Sequence, residues 1–328
     1  MGGFVGWALI YAPGTMLVHW DDVPVLELGR GEPRQLRGRR RRLGVAAGAP
    51  RLGLSRYELG PGERGMPVHA HADEEELFFV LAGSGTALLG EAAYEVGAGD
   101  AILHPAGGPP HALVAGPQGI DVLAFGSGSD TSLTWLPRPN VMWAAPRWIP
   151  LDGPNPFAAE EACGPLELPA PSDERPREIA ALDATPARER RHGDIAAVVR
   201  RLGAATGAQR SGLSHVTVDP GRLSSPPHCH SAEEELFVVL AGDGALELLH
   251  PDGTAESHPV HAGHVVSRPA GTGVAHTFGA GDDGLTLLCH SDLQDADMCF
   301  YPRSGKVLLC GLNVVMRVQR VDFWDGEG

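Results

Sequence analysis

The chain has 328 residues, enough for two domains of ordinary size that each bury a core. With 43% hydrophobic residues and a formal net charge of −15 it reads as a soluble globular protein. That acidity argues against nucleic acid and anionic membranes as partners, because phosphate binding needs clustered positive charge. Lys306 stands alone against 25 arginines, which disfavours lysine Schiff-base chemistry and matches the bias of a GC-rich, bacterial kind of genome.

The N-terminal stretch MGGFVGWALIYAPGTM holds a short apolar patch with no basic flank and is too short to span a bilayer. Translation starting at Met16 is an alternative to Met1. The basic run Arg37 to Arg42 has no interleaved aromatics and is expected to be solvated linker or strand-edge charge rather than an anion site. RRLGVAAGAPRLGLS, from Arg41, then returns as RRLGAATGAQRSGLS from Arg200, an offset of 159. At the same offset HAHADEEELFFVLAGSG, from His69, returns as HCHSAEEELFVVLAGDG from His228. HPAGGPPHALVAG from His104 answers RPAGTGVAHTFGAG from Arg268, with His111 and His276 now 165 apart. LPRPNV around Pro137 and YPRSGKV around Pro302 keep the 165 offset.

The extra residues of the second copy fall in LLHPDGTAESHPVHAGH. Its His250, His258, His261 and His264 fit no single strand face, so an exposed polar hairpin is expected there rather than a further metal site. Between the copies runs a proline- and acid-rich segment without apolar periodicity, expected to be a surface linker over 149–178. The domains expected on either side are 1–148, with its core at about 40–145, and 179–328, with its core at about 199–318. Within each copy, short runs of Val, Leu and Phe punctuated by Gly, Pro and Asp predict antiparallel, all-β domains. RHGDIAAVVRRLG is the best candidate for a short helix, with a strand entry as the alternative.

Alternation along a strand turns His69 and His71 to one side, and likewise His228 and His230. Two imidazoles on one face make half a metal site; His111 and His276, each after a Pro-Ala-Gly turn, are placed to bring a third from another strand. Glu76 and Glu235 lie five residues past the second histidine and seven before a turn glycine, Gly83 or Gly242. Cys163, Cys229, Cys289, Cys299 and Cys310 form no CxxC pair, which fits a reduced, cytoplasmic compartment and leaves thiolates out of the expected ligand set. Phe78, Val80, Phe237 and Val239 are expected to point into the barrels.

These blocks resemble the two motifs of the cupin superfamily. The first motif is carried by Gly62, His69, His71, Glu76 and Gly83, the second by Gly99, Pro105, Gly107 and His111. In the later copy the corresponding residues are Gly221, His228, His230, Glu235 and Gly242, then Gly263, Pro269, Gly271 and His276. Three residues separate Gly107 from His111 and four separate Gly271 from His276, where the family usually has two. The acid runs leave Glu75 and Glu234 as neighbours in competition, with spacing to the glycine favouring Glu76 and Glu235.

The resemblance implies a bicupin: two tandem double-stranded β-helix barrels of jelly-roll type. It also implies a divalent transition metal (Fe, Mn, Ni, Zn or Cu) held by His69, His71, Glu76 and His111 and by His228, His230, Glu235 and His276. By family analogy the leading expectation is an oxidoreductase of dioxygenase type on a small organic molecule, with Glu76 and Glu235 also able to move a proton. The alternatives are a metal-dependent decarboxylase, isomerase or lyase, and a non-catalytic ligand- or metal-binding bicupin. Openness of a site to small molecules would favour catalysis, and the second copy, with RPAGTGVAH, is the first candidate. Exchanged terminal strands and homo-oligomerisation through sheet edges are further implications.

Overall fold

The computed structural model describes residues 16–29, 35–49, 51–127, 133–144, 147–149, 156–319, 321 and 323–327. The apolar patch before Met16 lies outside them. No helix among the described residues is long and apolar enough to cross a membrane.

The chain is all-β, with two eight-stranded antiparallel sheets that form the two barrels. In the first, Ile179–Ala181, Asp100–His104, Glu76–Leu89, His111–Gly126, Gly53–Leu59, Gly38–Arg41 and Leu26–Leu28 follow one another, with Ala92–Gly97 hairpinned onto Glu76–Leu89. The second repeats this order with Leu17–His19, His264–Arg268, Glu235–Leu249, Ala275–Asp292, Ser211–Val218, Ile195–Arg201 and Ala187–His192, plus Ala255–His261. A four-stranded sheet completes each barrel and carries one HxH strand, Ala70–His71 or Cys229–His230.

Both faces of the central strands are apolar, and each face has its own use. Phe78 and Val80 point into the first barrel, and Phe237 and Val239 into the second. Leu77 and Phe79 turn the other way and join Leu236, Val238, Leu213 and Leu288 in one core shared by both barrels. Burial of this kind contributes about 25 cal/mol per Å² of apolar surface, so the two barrels are welded rather than tethered.

The exchange of terminal strands is visible in the register. Leu17–His19 pairs with His264–Val266 of the second sheet, and Ile179–Ala181 with Asp100–Ile102 of the first. The sheets therefore do not divide the chain at 148 and 179: the earliest described strand lies on the later barrel, and residues that open the expected second domain lie on the earlier one. The segment expected as a free linker is also anchored. Its helix Pro156–Ala162 buries Glu160 completely, 2.8 Å from Arg64 and 2.7 Å from Arg138.

Two local expectations need correcting. RHGDIAAVVRRLG is mostly strand: it turns at Gly193 and runs as Ile195–Arg201, because its β-branched residues find a hydrogen-bonding neighbour in Ser211–Val218. The helix begins only at Leu202–Thr206, as its counterpart Leu43–Ala46 does in the first copy. Gly83 and Gly242 do not close turns. Each sits inside a long strand at a register shift with φ of +78°, where a Cβ would lie 2.3 Å or 2.0 Å from the carbonyl oxygen of Gly119 or Gly284.

The acid runs also fasten the barrels together. Glu75 accepts hydrogen bonds from the backbone N–H of Gln209 and Arg210, at 3.2 Å each, and Glu234 accepts one from the N–H of Arg51 at 3.1 Å. Arg51 and Arg210 are equivalent positions of the repeat, so the staple is reciprocal. Glu75→Ala leaves two N–H groups at the interface without acceptors. It should lower stability by about 2 kcal/mol, read as a lower urea midpoint; a midpoint equal to wild type would contradict the staple.

Candidate metal centres

In the first barrel an antiparallel bridge sets His111 opposite His69, with His69 N–H to His111 O at 3.1 Å and His111 N–H to His69 O at 2.8 Å. The Gly107 N–H donates to His71 O at 2.8 Å, so the widened turn after Pro105 is pinned to the HxH strand and still delivers His111. Glu76 enters from the neighbouring strand. One donor atom from each of His69, His71, Glu76 and His111 falls within 4.8 Å of all the others. Glu76 Oε2 lies 3.2 Å, 3.3 Å and 3.5 Å from the Nε2 atoms of His111, His71 and His69.

The outward nitrogens are fixed: His69 Nδ1 is 2.8 Å from Pro67 O and His71 Nδ1 is 3.1 Å from Thr134 Oγ1. Held this way, each ring aims Nε2 inward. Burial alone would raise the Glu76 carboxyl, but the surrounding His111, His69 and His71 hold it well below the usual carboxylate range. Burial, then the neighbouring His69, pushes His111 down to about 4, which keeps that imidazole neutral.

The second barrel repeats the bridge, with His228 opposite His276, but the set is more open. His228, Glu235 and His276 bring donor atoms within 4.8 Å of one another, and Glu235 Oε2 is 3.0 Å from His276 Nε2. His230 joins two overlapping groups instead, one with His228 and Cys299 and one with Glu233 and Asp297. Its Nε2 still lies 3.5 Å from Glu235 Oε2, and its Nδ1 is 2.7 Å from Asp297 Oδ2. Asp297 is itself fixed by the Ala232 N–H at 2.8 Å.

Burial and then His276 push His228 down to about 4, whereas Glu235 and Asp297 outweigh burial and raise His230. Burial pushes the Glu233 carboxyl up to about 7. Cys299, on the strand paired to His230, is a thiol beside the set that the sequence did not suggest.

The two centres differ most in the space beside them. Tyr57, Met66 and Phe78 leave about 30 Å³ next to His69 and His111. The same positions in the second copy are Val216, Ser225 and Phe237, and a cavity of about 550 Å³ opens beside His228, His230, Glu235 and His276. His104 fills further space in the first barrel by stacking on His111 at 3.8 Å, where the second copy has Arg268. Glu75 and Glu234, the competing carboxylates, face the barrel interface and belong to neither centre.

Both sets fit a divalent transition metal, which needs neutral imidazoles and a charged oxygen. The buried Nε2 atoms of His71, His230 and His276 make no hydrogen bond, and such orphaned groups are what an ion would satisfy. A cupin domain model matches residues 55–119 and 214–290, one match on each barrel. The chain carries two cupin domains, one in each barrel.

Solved structures similar to this bicupin include oxalate decarboxylase from Bacillus subtilis. A deletion mutant of that enzyme has a TM-score of 0.60 at 19% identity, over 86% of this chain and 78% of that one. A structure concerned with its Mn(II) centres gives 0.59 at 19%, and one concerned with its substrate binding mode gives 0.59 at 20%, with the same coverage. At such identity the likeness speaks for the fold. No curated protein sequence matches the bicupin significantly.

Sequence reasoning missed Thr134 and Asp297, which lie more than 60 residues from the histidines they orient. Asp297→Asn should weaken metal binding at the second centre about 10–100-fold and leave the first unchanged, as measured by competition with a chelating dye. Equal loss at both centres, or none, would contradict that role.

Proposed function

We propose that the protein is a metal-dependent bicupin enzyme, that its reaction takes place in the second barrel, and that this reaction is the decarboxylation of a small organic acid. The observation that carries the proposal is the difference in space: the donor set around Glu235 opens onto a cavity of about 550 Å³, whereas the cavity beside His69 and His111 measures about 30 Å³. His69, His71, Glu76 and His111 would hold one ion and His228, His230, Glu235 and His276 the other, the first serving the fold and the second the chemistry. An open cavity also favours catalysis over the non-catalytic alternative.

A divalent metal bound at the second centre supplies a Lewis acid that orients a carboxylate and draws electron density from it. The chain's own contribution follows from Glu233, which lines the same cavity. When the bond from the carboxyl carbon to its neighbour breaks, CO2 leaves and the electron pair stays on the neighbouring carbon. A proton must arrive there, and Glu233, which lines the cavity beside His230, stands where it can deliver one. Phe237 and Phe278 exclude water from the cavity wall.

The Bacillus subtilis oxalate decarboxylase structures, one of them concerned with Mn(II) centres, support the decarboxylase alternative in the same direction. Loaded with Mn(II) and offered a panel of small carboxylic acids, the protein should release CO2 without net oxygen consumption. Glu233→Gln should slow release at least about 100-fold. Oxygen uptake stoichiometric with turnover would restore the dioxygenase reading.

A further inference from the structure

The cavity of the second barrel is larger than a two-carbon diacid requires, and its surfaces differ in character. At one end stand His228, His276 and Glu235. The walls set Val216, Phe237, Phe278 and Leu287 beside the hydroxyls of Ser214 and Ser291. Tyr301 lines the passage away from the centre: its ring stacks 5.8 Å from His228, and on it rests the Lys306 ammonium, 5.6 Å from the ring centroid. Arg190 and Arg201 complete the lining and are exposed, which puts them at the mouth.

These cations have no counter-ion. Many of the chain's arginines are paired with carboxylates, for example Arg56 with Asp121 and Arg175 with Asp100. Among the described residues no carboxylate pairs with Arg190, Arg201 or Lys306. Arg188 adds a fourth positive charge close enough to depress Arg201, after burial, together with Arg190. In a chain of net charge −15 with a single lysine, three unpaired cations around one cavity form a local positive field that favours an anion. The carboxylates of the cavity, Glu233 and Glu235, are both bound up with the histidines at its other end.

We propose that the second barrel takes a two-headed organic acid: one head at the His228–Glu235–His276 end, an apolar or aromatic body along Tyr301 and Phe237, and a remote anionic group held by Lys306 and Arg190. The proposal rests on the reading of this cavity as a metal-dependent active site and adds the class of substrate. The volume of about 550 Å³ lies within the range of about 300–1,000 Å³ typical of pockets that enclose such molecules. Lys306 and Arg190 are then the specificity-determining residues, acting on affinity and placement rather than on the bond that breaks.

The test compares two probes on the full-length Mn(II)-loaded protein. Salicylate offers a chelating head and an aromatic body; 4-hydroxyisophthalate offers the same head with a second carboxylate across the ring. Binding is followed by the water-proton relaxation of Mn(II) and by calorimetry, with a Glu235→Ala protein loaded in the same way as the background for the first centre. The diacid should bind at least about tenfold more tightly than salicylate, about 1.4 kcal/mol. Lys306→Met and Arg190→Gln should each weaken the diacid at least about fivefold more than salicylate, while Mn(II) content equal to wild type shows that the variants fold.

Equal affinity for the two probes, or an advantage that survives in the double variant, would overturn the two-headed substrate and leave the metal-site reading standing. If neither probe perturbs the Mn(II) signal, the metal-site reading itself fails and the proposal goes with it.

Discussion

The alternation of side chains along one strand is the constraint on which the rest of this structure depends. At the entry to each central strand, three successive glutamates are sent in different directions by the backbone alone. Glu76 and Glu235 turn toward the histidines, and Glu74 and Glu233 stay beside the HxH strand. Glu75 and Glu234 turn to the opposite side and accept hydrogen bonds across the barrel interface. A slip of one residue would therefore empty the metal centre and break the interface at once.

That coupling explains why the duplicated chain behaves as one body. The shared apolar core and the reciprocal glutamate staples lie on the back of the strands that carry the donor sets, and the exchanged strands pair at the sheet edges. With the backs fixed, the interiors are free to diverge. A few exchanges at equivalent positions, Tyr57 against Val216 and Met66 against Ser225, turn a filled barrel into one with a cavity. The anchored helix Pro156–Ala162, with Glu160 held between Arg64 and Arg138, adds a buried ion cluster to the first barrel only. Ion clusters of this kind fix geometry more than they add net stability.

Much of this was legible in the sequence because it was written twice. The all-β class and the inward direction of Phe78, Val80, Phe237 and Val239 follow from periodicity and repetition, and the two barrels from the resemblance to cupins. The shared face of each histidine pair follows from parity, and the choice of Glu76 over Glu75 from its spacing to Gly83. What was hidden depends on contacts far apart in sequence: Asp297 on His230, Thr134 on His71, and Leu17–His19 crossing to the second sheet. RHGDIAAVVRRLG stands between helix and strand in the sequence because only a partner strand, here Ser211–Val218, decides for its β-branched residues. The closed state of the first barrel was readable from Tyr57 and Met66 only once those positions were known to face inward.

The central claim is that the chain holds two metal centres of like composition in barrels of unlike access. Elemental analysis of untagged protein, alongside Glu76→Ala and Glu235→Ala, tests it most directly. The account predicts about two transition-metal ions per wild-type chain and about one in each variant. A wild-type chain that binds no metal after anaerobic loading with Fe(II), Mn(II), Ni(II), Zn(II) and Cu(II), or variants that keep the wild-type content, would contradict it.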